Sequence, residues 1–154
     1  MRASAASGRP RFAFLAACIL TLAADQTTKL VVCIHLQPGS SKPLVGNWLF
    51  LTLTRNAGSA FGILESPWIP VLASILISVV LLIYAMSGRL LGKPRRALPL
   101  GLIVGGALGN LVDRLRVGAV IDFIDLRVWP VFNLADVAIT IGVGLLVVEA
   151  ARRR

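Results

Sequence analysis

Residues 68–86 form an apolar stretch without a charged side chain, the feature that most restricts how this chain can fold. About 20 mostly apolar helical residues cross a bilayer core. Three further stretches approach that length with few charges: 12–34, 97–112 and 131–148. Of the 154 residues 56% are hydrophobic and 15% charged, whereas soluble domains carry about 25% charged residues. The sequence argues against a soluble or disordered chain and predicts one integral membrane domain over residues 1–154.

The positive charges lie between and beyond the apolar stretches. A net charge of +9 could indicate nucleic-acid binding, but ten of the sixteen Lys and Arg residues lie in three segments: 2–11, 89–96 and 152–154. Cytoplasmic segments of membrane proteins are enriched in Lys and Arg. This pattern predicts a mainly α, polytopic protein with four transmembrane helices, both termini in the cytoplasm, and no nucleic-acid partner.

The two predicted outer segments, 36–67 and 113–130, contain strand and turn signals. Residues 48–55 end with Thr and Leu alternating, and Asn56 and Gly58 follow as turn residues. We therefore expect a small extracytoplasmic β-rich flap. Three tryptophans fall at the predicted outer interface and are interpreted as membrane anchors: Trp48, Trp68 and Trp129.

Polar residues inside the apolar stretches need a reason, because a carboxylate at the bilayer centre costs about 2.5 kcal/mol or more. Asp25 and Lys29 are four residues apart on one helix face, which allows either an internal ion pair or contact with a substrate. Asn110, Asp113 and Arg114 follow the third apolar stretch as a polar cluster. We interpret it as structural, with Arg114 available to a carboxylate or a lipid phosphate.

Asp122 and Asp136 are carboxylates without an adjacent cation in sequence, and both flank the predicted outer interface. Two carboxyl groups close together share one proton, which supplies a general acid and a general base for hydrolysis without a metal. The same pair would also suit a divalent cation or a proton relay.

Other catalytic chemistry has little support. His35 is the single histidine and is interpreted as the end of a helix, so a Ser or Cys triad and a zinc site are both disfavoured. Cys18 and Cys33 would lie roughly 22 Å apart on one helix, too far for a disulfide.

Five ordered motifs, read together, resemble one family. They are DQTTK at 25–29, RNAGSAFG at 55–62, GGALGNLVDR at 105–114, VIDFID at 120–125 and FNLAD at 132–136. In this order, within a four-span chain of this length, they resemble the bacterial lipoprotein signal peptidases, also called the signal peptidase II family.

The resemblance implies a membrane aspartyl endopeptidase of the bacterial cytoplasmic (inner) membrane, with its active site near the outer face. It would remove signal peptides from diacylglyceryl-modified prolipoproteins, cutting just before the lipidated cysteine, with Asp122 and Asp136 as the catalytic pair. The matching substrate-binding or supporting residues are Asp25, Lys29, Asn56, Gly58, Asn110, Asp113, Arg114 and Asn133. The resemblance implies no metal or other cofactor, and it implies prolipoproteins and membrane lipid as partners.

Two points remain open at this stage. Residues 123–135 form a shorter connection than we expect for the family, so Arg127 and Trp129 within it have no assigned role. Gly101, Gly105 and Gly109 repeat every four residues, which would suit either a dimer face or close packing within one helix bundle. Packing within the bundle is favoured, and with it a monomer. The alternative functions are a small proton- or cation-coupled transporter and a metal-dependent lipid transferase.

Overall fold

The computed structural model describes residues 3–57, 68–86 and 94–152. These residues form helices and strands in the following order: α1 (Ala3–His35), β1 (Ser41–Val45), β2 (Leu49–Asn56), α2 (Trp68–Met86), a 3₁₀ turn (Pro94–Arg96), α3 (Ala97–Val117), β3 (Val120–Asp125) and α4 (Leu134–Ala151). All four predicted apolar stretches are helical. The predicted turn residue Gly58 lies outside the described residues.

Three segments of the described chain are long and apolar enough to cross a membrane: Gly8–His35, Pro94–Val117 and Leu134–Ala151. Helix α2 contributes a shorter apolar segment, Leu72–Tyr84. Large apolar side chains on these helices remain uncovered by protein, among them Leu76 on α2 and Val147 on α4. A soluble protein rarely exposes so much apolar surface, whereas lipid covers it at no cost.

Glycines on α3 let the helices approach one another closely. A Cβ atom added at Gly105 would lie 2.6 Å from the Cys18 carbonyl oxygen on α1, and one added at Gly106 would lie 2.6 Å from the Ala135 carbonyl oxygen on α4. These two adjacent glycines therefore contact two different helices, α1 and α4. This supports the interpretation of the glycine repeat as packing within the bundle.

The strands form one antiparallel sheet in the order β1-β2-β3. Thr54 of β2 lies opposite Asp122 of β3, and Phe50 lies opposite Asp125. A buried cluster joins this sheet to the end of α1, and its members are Val32, Leu36, Leu53 and Phe123. The predicted strand at 48–55 is present, while β1 and β3 were not predicted.

Two of the helix boundaries that differ from the predicted ones bear on the site. Helix α3 continues past residue 112 to Val117 and ends at Gly118, whose φ of 75° places it in the left-handed region that glycine tolerates. Asp113 and Arg114 therefore lie inside α3, not in a loop after it. Helix α4 begins at Leu134, not 131, because Asn133 caps it. Both cysteines on α1 are free, as expected.

Candidate active site

Asp122 lies on β3 with a side chain enclosed by amide donors. The residue is 3% exposed. Its Oδ1 accepts a hydrogen bond from Asn133 Nδ2 at 2.7 Å, and its Oδ2 accepts one from Asn56 Nδ2 at 3.1 Å. Asn56 lies opposite Val120 in the sheet, so it is a diagonal neighbour of Asp122 on the same face. The register of the sheet thus brings a residue 66 positions away to this carboxylate.

Burial raises the pKa of Asp122 from its ordinary value of 3.8 to about 6. The nearby carboxylate of Asp136 raises this pKa further, whereas the amide donors of Asn56 and Asn133 and the charge of Lys29 lower it. Burial outweighs the donors. A carboxyl group that titrates this close to neutral pH can serve as a general acid.

Asp136 lies in the first turn of α4 and closes a reciprocal cap with Asn133. Asn133 Oδ1 accepts a hydrogen bond from the Asp136 amide at 3.0 Å, and Asp136 Oδ2 accepts one from the Asn133 amide at 3.3 Å. An Asn cap followed three residues later by a carboxylate is a capping box, which explains why the FNLAD segment starts the helix. Asp136 Oδ1 accepts a further hydrogen bond from Asn110 Nδ2 at 2.9 Å.

Two asparagine side chains connect the carboxylates. Asn133 Nδ2 donates both to Asp122 Oδ1 and, at 3.0 Å, to Asn110 Oδ1. Asn110 in turn donates to Asp136. Because a side-chain amide has two N–H donors, Asn133 Nδ2 is fully used. Asp122 and Asp136 are therefore linked through shared amides, as we expect for a pair that acts together.

A buried ion cluster lies beneath the amides. Lys29 Nζ lies 2.8 Å from Asp25 Oδ2 and 2.6 Å from Asp113 Oδ2, and it donates to Asn110 Oδ1 at 3.1 Å. The side chains of Lys29 and Asp25 are 2% and 0% exposed. All three ammonium donors have acceptors. The ion pair expected from the spacing of Asp25 and Lys29 is present, with Asp113 as a second partner.

The same cluster fixes the backbone beside each member of the pair. Asp113 Oδ2 accepts a hydrogen bond from the amide of Ile121, the residue before Asp122, at 3.1 Å. Asp25 Oδ1 accepts one from the amide of Ala135, the residue before Asp136, at 3.0 Å. Lys29 contacts both carboxylates, so it couples the position of β3 to that of α4.

One member of this network, Gln26, was not predicted, and Arg114, which was predicted, has no carboxylate partner among the described residues. Gln26 Nε2 donates to Asp113 Oδ1 at 3.0 Å and to the Gly109 carbonyl at 3.1 Å; its place inside the DQTTK motif was the available signal. Arg114 was expected to be available to a carboxylate or a lipid phosphate. Among the described residues it forms no ion pair, its buried Nε has no hydrogen-bond partner, and Asp113 pairs with Lys29 instead.

Apolar helices long enough to span a membrane, together with a linked pair of carboxylates on β3 and α4, define an integral membrane protein equipped for acid–base chemistry. In the described parts of the chain, no group of three or more His, Cys, Asp or Glu side chains is placed to hold a metal ion. Similarity to known proteins identifies the family within this class.

A family model described as signal peptidase (SPase) II matches residues 17–152. A lipoprotein signal peptidase of Moorella thermoacetica is 46% identical over 134 residues, which cover 86% of this chain and 89% of that protein. One of Halothermothrix orenii is 41% identical over 130 residues, covering 84% and 88%. A solved structure of a bacterial membrane enzyme shares 29% identity and a TM-score of 0.79, covering 89% of this chain and 91% of that chain.

The chain belongs to the signal peptidase II family. It is an integral membrane peptidase, as the ordered motifs predicted, and the transporter alternative is not supported.

Proposed function

We propose that this peptidase removes the signal peptide from diacylglyceryl-modified prolipoproteins by cutting just before the lipidated cysteine, with Asp122 and Asp136 as the catalytic pair. Cleavage of lipoprotein signal peptides follows from membership of the family. The observation that carries the catalytic assignment is that Asn133 contacts both carboxylates, so one residue sets their relative position.

The two carboxyl groups take different roles in the proposed reaction. We assign the shared proton to Asp122, because burial raises its pKa to about 6 and so favours its protonated form, and the protonated group polarises the scissile carbonyl. Asp136 accepts a proton from water, whose oxygen forms a bond to the carbonyl carbon while the Asp122 proton moves to the carbonyl oxygen. The resulting diol collapses as the C–N bond breaks. Asp136 then gives its proton to the leaving nitrogen, and a diol proton returns to Asp122.

The remaining motif residues support this pair in distinct ways. Asp25, Lys29 and Asp113 hold the backbone beside each carboxylate. Asn56, Asn110 and Asn133 donate hydrogen bonds to the carboxylates themselves. These six are proposed as supporting residues. Arg114 and Gly58 are proposed as substrate-contacting residues, since Arg114 has a donor that no described protein group occupies.

The proposed reaction needs no metal. Asp122 supplies the acid and Asp136 the base, and each of their four oxygens accepts one amide hydrogen bond, which leaves a lone pair for a proton or a water molecule. A metal-dependent transferase would instead require oxygens directed at a shared empty position.

The proposed placement in the membrane puts the pair at the outer face of the bacterial inner membrane. Four spans including α2, with the Arg- and Lys-rich segments in the cytoplasm, place β1 to β3 outside as the flap. In this placement Asp122, on the strand after α3, and Asp136, in the first turn of α4, both lie at the outer interface. They therefore meet a substrate whose lipid anchors it at that interface.

The test is cleavage by the purified protein in detergent micelles with EDTA present. A diacylglyceryl prolipoprotein should be cut and its unlipidated counterpart should not. Asp122→Asn and Asp136→Asn should each lower the rate by at least about 10²-fold, because each removes half of the acid–base pair. Glu149→Gln is the matched control: it makes the same chemical change at the opposite end of α4, where Glu149 pairs with Arg96, and should keep its activity.

Three results would count against the proposal. Loss of activity in EDTA with recovery in Mg²⁺ would indicate the metal-dependent alternative. Equal cutting of the unlipidated peptide would show that the enzyme does not recognise the lipid. An inactive Asp113→Asn beside a normally active Asp122→Asn would mean that Asp113, not Asp122, pairs with Asp136.

A further inference from the structure

The connection between β3 and α4, residues 126–133, is held to the sheet near its start by the side chain of Arg127. Arg127 Nη2 donates to Ser41 Oγ on β1 at 2.7 Å, and Arg127 Nε lies 3.6 Å from Asp125 Oδ2 on β3. The guanidinium carbon lies 3.7 Å from the centre of the Phe50 ring on β2. A single side chain at the start of the connection therefore contacts all three strands.

The side chains that contact Arg127, those of Ser41 and Asp125, are themselves held in place by Thr52. Asp125 Oδ2 accepts a hydrogen bond from Thr52 Oγ1 at 2.6 Å, and Thr52 Oγ1 lies 2.8 Å from Ser41 Oγ. The hydrogen bond from Thr52, and then the amide of Arg127, keep the pKa of Asp125 below its ordinary value. Arg127 thus faces an ionised carboxylate that the sheet has already oriented.

The backbone of Arg127 adopts a conformation that needs such support. Its φ is 64°, in the left-handed region, and it is the one non-glycine residue with positive φ in the described part of the chain. Its amide donates to Asp125 Oδ1 at 2.8 Å. Residues other than Gly, Asn and Asp seldom occupy this region unless the surroundings hold them there.

The fastened connection forms one wall of an apolar groove beside the catalytic pair. The groove has a volume of about 400 Å³. Trp129 and Phe132 line it from the connection, and Asp136, Val137, Thr140 and Ile141 line it from α4. Phe132 is fixed by backbone hydrogen bonds to β3. Trp129 has no such bond to the part of the chain that the structure describes and is 68% exposed, so its position depends on how the connection is held.

The groove suits an acyl chain better than a peptide. An extended peptide would need partners for its N–H and C=O groups. The groove offers few, since Thr140 Oγ1 already donates to the Asp136 carbonyl and the Asp136 carboxylate already accepts two hydrogen bonds. An acyl chain has no polar groups to satisfy. The groove also follows α4 from Asp136 to Ile141, about 7.5 Å along a helix predicted to enter the bilayer.

We propose that Arg127 is a positioning residue that holds Trp129 as one wall of a groove for an acyl chain of the substrate. This rests on the proposed function, because the groove is continuous with the catalytic pair through Asp136. It gives the short connection between Asp122 and Asp136 a role in substrate binding and not in the chemical step.

The first measurement is hydrogen–deuterium exchange, which needs no substrate. Amides of residues 126–129 and of Val131 should exchange faster in Arg127→Ala than in the unmodified protein, and Arg127→Lys should lie between them, because lysine keeps the charge but loses the planar fork. Arg152→Ala is the matched control at the far end of α4 and should leave these amides unchanged. Equal protection of these amides in all four proteins would overturn the proposal that Arg127 holds the connection in place.

The second measurement separates KM from kcat for lipidated substrates with long and short acyl chains. Burying one methylene group changes an equilibrium constant by about fourfold, so Arg127→Ala and Trp129→Ala should each raise KM for the long-chain substrate roughly tenfold. KM for the short-chain substrate should change less, and kcat should be unchanged. The double variant should be no worse than either single variant, because both changes remove the same wall.

The outcomes distinguish this proposal from the function on which it rests. A fall in kcat for both substrates at unchanged KM would overturn the acyl groove and leave the peptidase function intact. A KM effect that follows the signal-peptide residues and not acyl length would also overturn it, assigning the groove to the peptide. No cleavage of any lipidated substrate by the unmodified protein would overturn the proposed function itself. If Arg127→Ala does not fold, Arg127→Lys and Trp129→Ala carry the same comparisons.

Discussion

At the scale of single residues, Asp122 is set by a competition between burial and hydrogen bonding. Two amide donors favour its ionised form, yet burial raises its pKa to about 6. The change from 3.8 means that folding favours the protonated form of Asp122 over its ionised form by about 3 kcal/mol, relative to the unfolded chain. Because the folded-state pKa is the higher one, this stabilisation is complete below pH 3.8 and is lost as the pH rises through about 6.

The pH dependence of cleavage tests this balance. If Asp122 acts as the proton donor, kcat/KM should fall as the pH rises through about 6, and the acidic limb of the profile should report the first ionisation of the pair. Asn56→Ala should move the alkaline fall to higher pH, since it removes a donor that favours the ionised form. A fall that moves to lower pH, or does not move, would contradict the assignment of the proton to Asp122.

At the scale of elements, the start of α4 combines a structural and a catalytic role in one side chain. Asn133 caps the helix through Oδ1 and orients Asp122 through Nδ2. The two roles use different atoms, so they can be separated by substitution. Serine retains a capping oxygen but no amide donor, and alanine retains neither.

We predict that Asn133→Ser and Asn133→Ala both lose most of their cleavage activity, because both lose the donor to Asp122. Asn133→Ala should be the less stable of the two by about 1 kcal/mol, the usual cost of losing a helix cap. Thermal unfolding in detergent beside the cleavage rate measures both effects. Equal stability of the two variants would show that the cap contributes little to α4.

The contact between α3 and α4 gives a second element-scale prediction. A Cβ at Gly106 would meet the carbonyl oxygen of Ala135, whereas a Cβ at Gly144 would meet nothing within 4 Å. Gly106→Ala should therefore cost about 1–3 kcal/mol of unfolding free energy, as overpacking does. It should also lower activity, since Ala135 precedes Asp136. Gly144→Ala is the control, and an equal effect of both substitutions would contradict this account of the packing.

At the scale of the whole molecule, local patterns predicted the helices, and the spacing of Asp25 and Lys29 predicted their ion pair, but the sequence did not predict partners that come from other elements. The four apolar stretches were located because bilayer thickness imposes a length that sequence reveals directly. Strand β3 was missed because its partner, β2, lies more than 60 residues away. The end of α3 was misplaced because Asp113 is satisfied by Lys29, a contact that only the packing of α1 on α3 creates. Arg127 was left without a role for the same reason.

The arrangement of the whole chain in the membrane depends on whether α2 crosses it. The described apolar segment of α2, Leu72–Tyr84, is shorter than the three candidate spans, yet four spans are needed to place every Arg- and Lys-rich segment on one side. Reporter fusions at Ser41 and Gly92 flank α2 alone, so they isolate this helix. We expect them to report opposite sides, with Gly92 in the cytoplasm. A third fusion, after Arg152, should report the same side as Gly92, because α3 and α4 cross as a pair. If Ser41 and Gly92 shared a side, α2 would not span the membrane, and the sheet that carries Asp122 would lie on the same side as the positively charged segment 89–96.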